Sequence, residues 1–347
     1  MMIILLIWAI VAFAISFFVT VFVKHLAFRA DLVDKPNRGR KIHSRPTARL
    51  GGLAIYIAFS IVVIILLFTS PQLTSGEITA VHYIGLLVGG LVLMVGGAID
   101  DRFDLPPWLS FFSPVLATLI LIGAGIEVEK LTNPFGGVVY LTSLQSDILV
   151  FVWLMVVMYT TKFLDGLDGL ATSVSSIGAF MIVLLSLTAA YYQPDVALLA
   201  SVAIGAFLGF LFWNFHPASI FLGEGGSTFV GFILASLAVI SGGKLATALL
   251  VLGIPLLDVV WIIIRRWKTG GVQSIFRADR KHLHHRLYDL GWGQKQIVFV
   301  YIFIAFAFGA STLFLQSREK LTALILLGLL MLIAAVILVQ HENSETV

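Results

Sequence analysis

The opening stretch MMIILLIWAIVAFAISFFVTVFV, Met1 to Val23, carries no charged side chain. A helix of about 20 apolar residues spans the hydrocarbon layer of a bilayer. This run is longer than a signal-peptide core and has no basic start before it, so it reads as a retained membrane helix. The rest of the chain repeats the theme. Of its 347 residues 59% are hydrophobic and 12% charged, with a mean hydropathy of +1.02. Too few polar side chains remain to coat a water-soluble globule. The same composition excludes a disordered chain and a collagen-like repeat. With no cysteine, a disulfide-stapled scaffold, thiolate chemistry and Cys-ligated metals are excluded as well.

At about 20 residues per crossing, apolar stretches lie near 2–27, 51–69, 82–99, 108–126, 147–163, 172–192, 196–213, 228–241, 245–264, 297–315 and 321–340. The expectation is an all-α polytopic membrane protein of about eleven transmembrane helices, forming one integral domain over 1–347. Strict alternation places 18 of the 22 Lys and Arg residues on one side and four on the other, namely Lys130, Lys244, Arg318 and Lys320. Basic loops favour the cytoplasm, which predicts N-out, C-in. Among the outer loops, 127–147 has turn residues between β-prone runs, readable as a small hairpin or as an irregular cap.

Alternation also sorts the acids. Asp100, Asp101, Asp104, Asp165, Asp168 and Glu224 all fall at the cytoplasmic ends of different helices, in inner loops 100–107, 163–171 and 214–227. In GGAIDDRFDLPP (96–107), adjacent aspartates repel unless a cation or a proton intervenes. Mg²⁺ takes few protein carboxylates and completes its shell with water and phosphate, so the pair suits a phosphate-handling site, against a plain interfacial turn. In TTKFLDGLDGLA (160–171), Gly166 and Gly169 favour a loop that offers Asp165 and Asp168 beside Lys162; an N-cap would explain one acid, not both. In WNFHPASIFLGEGGST (213–228), Asn214 and Glu224 are the polar members of a re-entrant turn. Glu224, flanked by glycines, could face an ion or sit in an ordinary interfacial loop.

Two further inner loops, 29–50 and 265–296, are basic. DKPNRGRKIHSRPTARLGG (34–52), with Lys41 and Arg45, would steer a di- or triphosphate ligand inward, and it lacks the interleaved aromatics of a nucleic-acid surface. RRWKTGGVQSIFRADRKHLHHR (265–286) sets His282, His284 and His285 among cations, Arg277 included. Like charge keeps such imidazoles neutral and free to bond phosphate oxygens; a His₃ zinc site and a loop resting on anionic lipid are the rival readings. Asp258 lies within an apolar stretch, seven residues before Arg265, and serves either function or a pairing with a nearby cation.

From about residue 34 to 296, these segments in this order resemble the polyprenyl-phosphate N-acetylhexosamine-1-phosphate transferase family, which begins common-antigen, O-antigen and teichoic-acid linkage synthesis. The likeness rests on the Asp100-Asp101 pair, the Asp165–Gly169 loop, Asn214 followed ten residues later by Glu224, and the His-x-His-His loop. Where that family commonly has Asn and Asp, this chain has Lys162 and Glu224. The resemblance implies transfer of a HexNAc-1-phosphate, GlcNAc by default, from a UDP-sugar to polyprenyl (undecaprenyl) phosphate, with release of UMP. It further implies Mg²⁺, with Mn²⁺ as a substitute, held by Glu224 and one or both of Asp100 and Asp101. One of those aspartates would position or deprotonate the acceptor. His284 and His285 join the catalytic set, and Lys41, Arg45, Lys162, Asp165, Asp168, Asn214, Arg277 and His282 contact substrate. The implied setting is the bacterial cytoplasmic membrane with the site facing the cytoplasm, no nucleic-acid partner, and room for a homodimer. A transporter or lipid flippase is the rival, and would place ionisable groups at mid-membrane within inverted repeats. A CDP-alcohol phosphotransferase would carry several acids along one helix face, which Asp165-Gly-Leu-Asp does not continue.

Overall fold

The computed structural model describes residues 1–36, 45–76, 78–242, 244–270 and 282–345. In lipid every backbone N–H and C=O must be satisfied within the protein, which leaves helices as the economical choice for an apolar chain. Fourteen α-helices result among the described residues: α1 (Met2–Arg29), α2 (Gly51–Thr69), α3 (Ala80–Phe103), α4 (Pro107–Ser110), α5 (Phe112–Gly123), α6 (Ser143–Leu164), α7 (Leu170–Ser186), α8 (Pro194–Asn214), α9 (Gly223–Ile240), α10 (Leu245–Val251), α11 (Gly253–Gly270), α12 (Leu283–Asp289), α13 (Gln294–Ser311) and α14 (Ser317–Glu345).

Each of the eleven apolar stretches falls on a helix or helix pair. Among the described residues seven helices are long and apolar enough to cross a membrane, and eight if α10 and α11, bent by 78°, form one broken span. The stretches Pro107–Gly123 and Leu170–Ser186 are shorter apolar helices, at the lower end of the roughly 17–25 residues that span a bilayer.

Strands are few and short. The 127–147 segment is a hairpin, with β3 (Lys130–Thr132) antiparallel to β4 (Val138–Tyr140). A second sheet was not expected. β2 (Thr47–Arg49) pairs antiparallel with β1 (Val33–Asp34) and parallel with β5 (Ile220–Phe221). It stitches the loop after α1 to the loop before α9 at the end of the bundle where the acids lie.

The buried core runs continuously from Leu5 to Leu327. Its tightest contacts join α2, α3 and α9. A Cβ on Gly52 would stand 2.0 Å from Gly226 Cα, and one on Gly97 would stand 2.1 Å from Gly225 Cα. Backbones can meet this closely only where side chains are absent, the usual device of membrane helix pairs. Gly225 and Gly226, read from sequence as uncovering Glu224 for a ligand, are thus packing residues. Their contact sets the N-terminus of α9 beside the C-terminus of α3, and so Glu224 beside Asp101.

Candidate active site

A cavity of about 970 Å³ opens at one end of the bundle. The residues around it come from the ends of α1, α3, α6 and α9, from the loops that precede α2, link α6 to α7 and follow α8, and from His285 of α12 and Gln294 at the start of α13. Antiparallel succession therefore gathers Asp101, Asp104, Asp165, Asp168 and Glu224 on its wall, the convergence expected from sequence. Arg45, Arg49, Lys24, Lys162 and His285 supply the cationic and imidazole side.

The paired aspartates of α3 part company. Asp100 accepts hydrogen bonds from Leu105 N–H (3.0 Å) and from the Ser110 hydroxyl, so it ties the end of α3 to the following turn and to the end of α4 and does not line the cavity. Asp101 does line it. Its Oδ2 accepts Glu224 N–H at 3.0 Å, and its Oδ1 stands 3.9 Å from Arg49 Nη1. Successive residues on a helix point about 100° apart, so one polar pair divides between a structural and a cavity-facing role. Arg49 is in turn ion-paired with Asp34, a contact that the β1–β2 register enforces. Sequence reasoning did not single out Asp34 or Arg49, since strands of two and three residues leave no periodic signal.

The DGLDG segment is a loop, as its glycines suggest. Asp165 caps the end of α6, and Gly169, with φ of 76°, begins α7 in the left-handed conformation that glycine adopts freely. Burial, then the nearby charges of Glu224, Asp168 and Asp101, push Asp165 well above the usual carboxylate range. Asp168 is anchored: its Oδ2 accepts from His216 Nδ1 (2.7 Å) and from Ala218 N–H (3.0 Å). His216 is a third residue that sequence reasoning passed over, although it lies two positions from Asn214. Lys162, on the last turn of α6, places its Nζ 2.5 Å from Glu224 Oε2.

Asn214 does not reach the cavity. It is 1% exposed; its Nδ2 donates to Ile220 O (3.0 Å) and its Oδ1 accepts from Thr172 Oγ1 (3.4 Å). It closes the loop between α8 and α9 and so positions Glu224 from behind. A buried amide satisfied on both sides is a structural element whose removal would orphan its partners.

The three histidines divide similarly. His282 Nδ1 donates to Asp258 Oδ2 (2.8 Å), and Leu283 N–H donates to Asp258 Oδ1 (3.0 Å). The acid inside α11 thus holds the start of α12, a partner other than the Arg or Lys considered from sequence. The rings of Phe163 and His282 stack at 5.6 Å, those of His282 and His284 at 5.6 Å, and His284 and His285 lie 4.3 Å apart. His284 is buried against Gly166, where a Cβ would stand 2.3 Å from its Nε2. Burial, then its two neighbouring imidazoles, hold it well below the usual imidazole range and therefore neutral. Only His285 of the three lines the cavity. Lys41 and Arg277 lie outside the described residues.

Among the described residues no three acids or histidines already stand as a metal-ligating group. The donor chemistry nonetheless suits a hard divalent cation: Glu224, Asp101 and Asp165 offer carboxylate oxygens around one space, and Asp165 is penalised by like charge that a cation would relieve.

Residues 83–242 match the family described as glycosyl transferase family 4. The chain is 30% identical over 338 residues to the probable undecaprenyl-phosphate N-acetylglucosaminyl 1-phosphate transferase of Bacillus subtilis (strain 168), covering 94% of this chain and 90% of that protein. It is 34% identical over 344 residues to the decaprenyl-phosphate N-acetylglucosaminephosphotransferase of Mycobacterium tuberculosis (strain ATCC 25618 / H37Rv), covering 90% and 83%. With the undecaprenyl-phosphate alpha-N-acetylglucosaminyl 1-phosphate transferase of Yersinia pestis it shares 30% identity over 307 residues, 82% of this chain and 76% of the other. Similarity over nearly the full length means that this chain belongs to glycosyl transferase family 4, among the polyprenyl-phosphate N-acetylhexosamine-1-phosphate transferases.

Proposed function

We propose that this membrane protein transfers GlcNAc-1-phosphate from UDP-GlcNAc to a polyprenyl phosphate, undecaprenyl phosphate in the simplest case. An oxygen of the lipid phosphate attacks the sugar-side phosphorus of the diphosphate. The bond from that phosphorus to the bridging oxygen breaks, and UMP leaves with the electron pair. The products are a polyprenyl diphosphate sugar and UMP, a first step in building an envelope glycan.

The observation that carries the reading is the convergence of Asp101, Asp165, Asp168 and Glu224 with Arg45, Arg49 and Lys162 on one cavity at the bundle end. Arginines recognise phosphate oxygens by paired N–H groups. Lys24 and Phe28, at the end of the long apolar α1, also line this cavity, so a phosphate could enter at headgroup depth with its tail still in lipid. Asp101, held by Glu224 N–H and faced by Arg49, positions the acceptor phosphate or takes its proton. His285 is placed to bond a diphosphate oxygen. Asp168, fixed by His216 and Ala218, holds the loop on which Asp165 sits.

Glu224, Asp101 and Asp165 are the residues that would hold Mg²⁺, or Mn²⁺ in its place. Bound there, the ion would neutralise the diphosphate and stabilise the departing UMP. The basic excess at this end of the helices supports a cytoplasmic orientation in a bacterial inner membrane. A transporter or flippase finds no support: the relatives bear transferase names, and these acids cluster at one end instead of mid-span.

The test is to incubate the detergent-purified protein with Mg²⁺, undecaprenyl phosphate and a panel of UDP-sugars, and to weigh the lipid product. The expected result is a lipid diphosphate bearing one GlcNAc, with stoichiometric UMP. Absence of a lipid product with every UDP-sugar would overturn the reading.

A further inference from the structure

The carboxylates around the cavity differ in what holds them. Asp168 is fixed by a ring N–H and a backbone N–H. Asp101 is fixed by a backbone N–H. Glu224, by contrast, is gripped by the tip of a long side chain, Lys162 Nζ, at 2.5 Å from Oε2. Lys162 also lies 5.7 Å above the Tyr159 ring and three residues before buried Asp165. An ammonium on a four-carbon stem can swing several ångströms without moving the backbone, unlike the backbone N–H groups that hold Asp168 and Asp101.

An ammonium and a divalent ion compete for the same carboxylate oxygen. We infer that Lys162 is a tethered counter-cation that occupies Glu224 while the cavity is empty and passes to a diphosphate oxygen when a divalent ion takes Glu224. The inference rests on the metal reading given above and adds an exchange of partners to it. Lys162 thereby weakens binding of the ion alone and strengthens binding of the ion together with a nucleoside diphosphate. The pair of ligands is then positively coupled, and by linkage each raises the affinity of the other by the same factor. The device keeps the acids neutralised between turnovers and favours loading of both ligands together.

The experiment measures Mn²⁺ binding to the full-length protein in detergent by the electron paramagnetic resonance of free Mn²⁺, with and without UDP, corrected for Mn²⁺ held by UDP in solution. The wild type is compared with Lys162→Met, Lys162→Gln and Lys162→Arg. Both neutral variants should bind Mn²⁺ alone on the order of tenfold more tightly than wild type, within the usual range of coupling between sites. UDP should tighten Mn²⁺ binding less in those variants than in wild type, and Lys162→Arg should retain the wild-type pattern. Unchanged or weaker Mn²⁺ binding in both neutral variants, with saturable binding preserved, overturns the inference and leaves the metal reading standing. No saturable Mn²⁺ binding in any of the four proteins, with or without UDP, overturns the metal reading and the inference with it.

Discussion

The two ends of the helix bundle handle buried charge in opposite ways. Away from the cavity, at the end where α7 finishes and α10 begins, Lys244 is 9% exposed. It donates to Ser186 Oγ (3.0 Å) and Gln193 Oε1 (2.8 Å), and lies 5.6 Å above the Tyr191 ring. Two hydrogen-bond acceptors and an aromatic face satisfy that cation from within the protein. At the cavity end Asp165 is buried among Glu224, Asp168 and Asp101, and like charge adds to its desolvation. One end is complete as folded. The other keeps like charges crowded together, an arrangement common where function opposes stability.

This contrast separates activity from stability, and substitutions at the two ends should show it. The largest expected effect is on turnover. Asp101→Asn should lower UMP release by about 10²–10⁴-fold if Asp101 acts in proton transfer, while the thermal midpoint in detergent stays near wild type; normal Mg²⁺-dependent release would remove Asp101 from the mechanism. Next, Gly166→Ala drives a methyl group into His284 and His285. A misplacement of about 1 Å at a reacting geometry costs roughly 10²-fold, so activity should fall by that order with the fold retained, as circular dichroism and the same release assay would report. Asp165→Asn removes a crowded, buried carboxyl. It should abolish activity while leaving the midpoint unchanged or higher, and a marked loss of stability would show that Asp165 is structural.

At the far end the signs invert. Lys244→Met leaves Gln193 and Ser186 without their donor, which should cost about 1–3 kcal/mol of stability, read as a lower thermal midpoint with turnover per folded molecule unchanged. The smallest effect is in pH. Burial lowers the Lys244 ammonium to about 8, below its unfolded value near 10.5. Between those values the unfolded chain binds more protons, so this residue's contribution to stability rises as pH increases from about 8 to 10.5. The wild-type midpoint should therefore gain on Lys244→Met across that window, and a parallel response of the two proteins would exclude it.

Much of this contrast is legible in the sequence, and the remainder is not for definite physical reasons. Apolar runs near membrane-spanning length and strict alternation were enough to bring Asp101, Asp165, Asp168 and Glu224 to one end, because helices in lipid have few other arrangements. Turn chemistry at Gly166 and Gly169 located the central loop, and the β-prone runs around 127–147 located the hairpin. Alternation does not report which way a side chain turns on its helix, so Asp100 and Asp101 looked equivalent. Asn214 looked like a ligand because its buried partners, Thr172 and Ile220, are reached only through the fold. The pairings Asp34–Arg49, Asp258–His282 and Lys162–Glu224 join residues 15 to 62 positions apart, and no local pattern encodes them. α7, read from sequence as a full crossing, is 17 residues long, at the lower end of the length that spans a bilayer.

The central claim is spatial, that acids from α3, the α6–α7 loop and α9 surround one cation. It is tested most directly by determining the structure of the protein with Mn²⁺ and UDP and locating the metal by its anomalous scattering. The account predicts one strong peak between Glu224, Asp101 and Asp165, with Lys162 moved off Glu224 toward the diphosphate. A peak on the histidines of α12 or elsewhere in the molecule, or a bound UDP with no metal beside those three carboxylates, would contradict it.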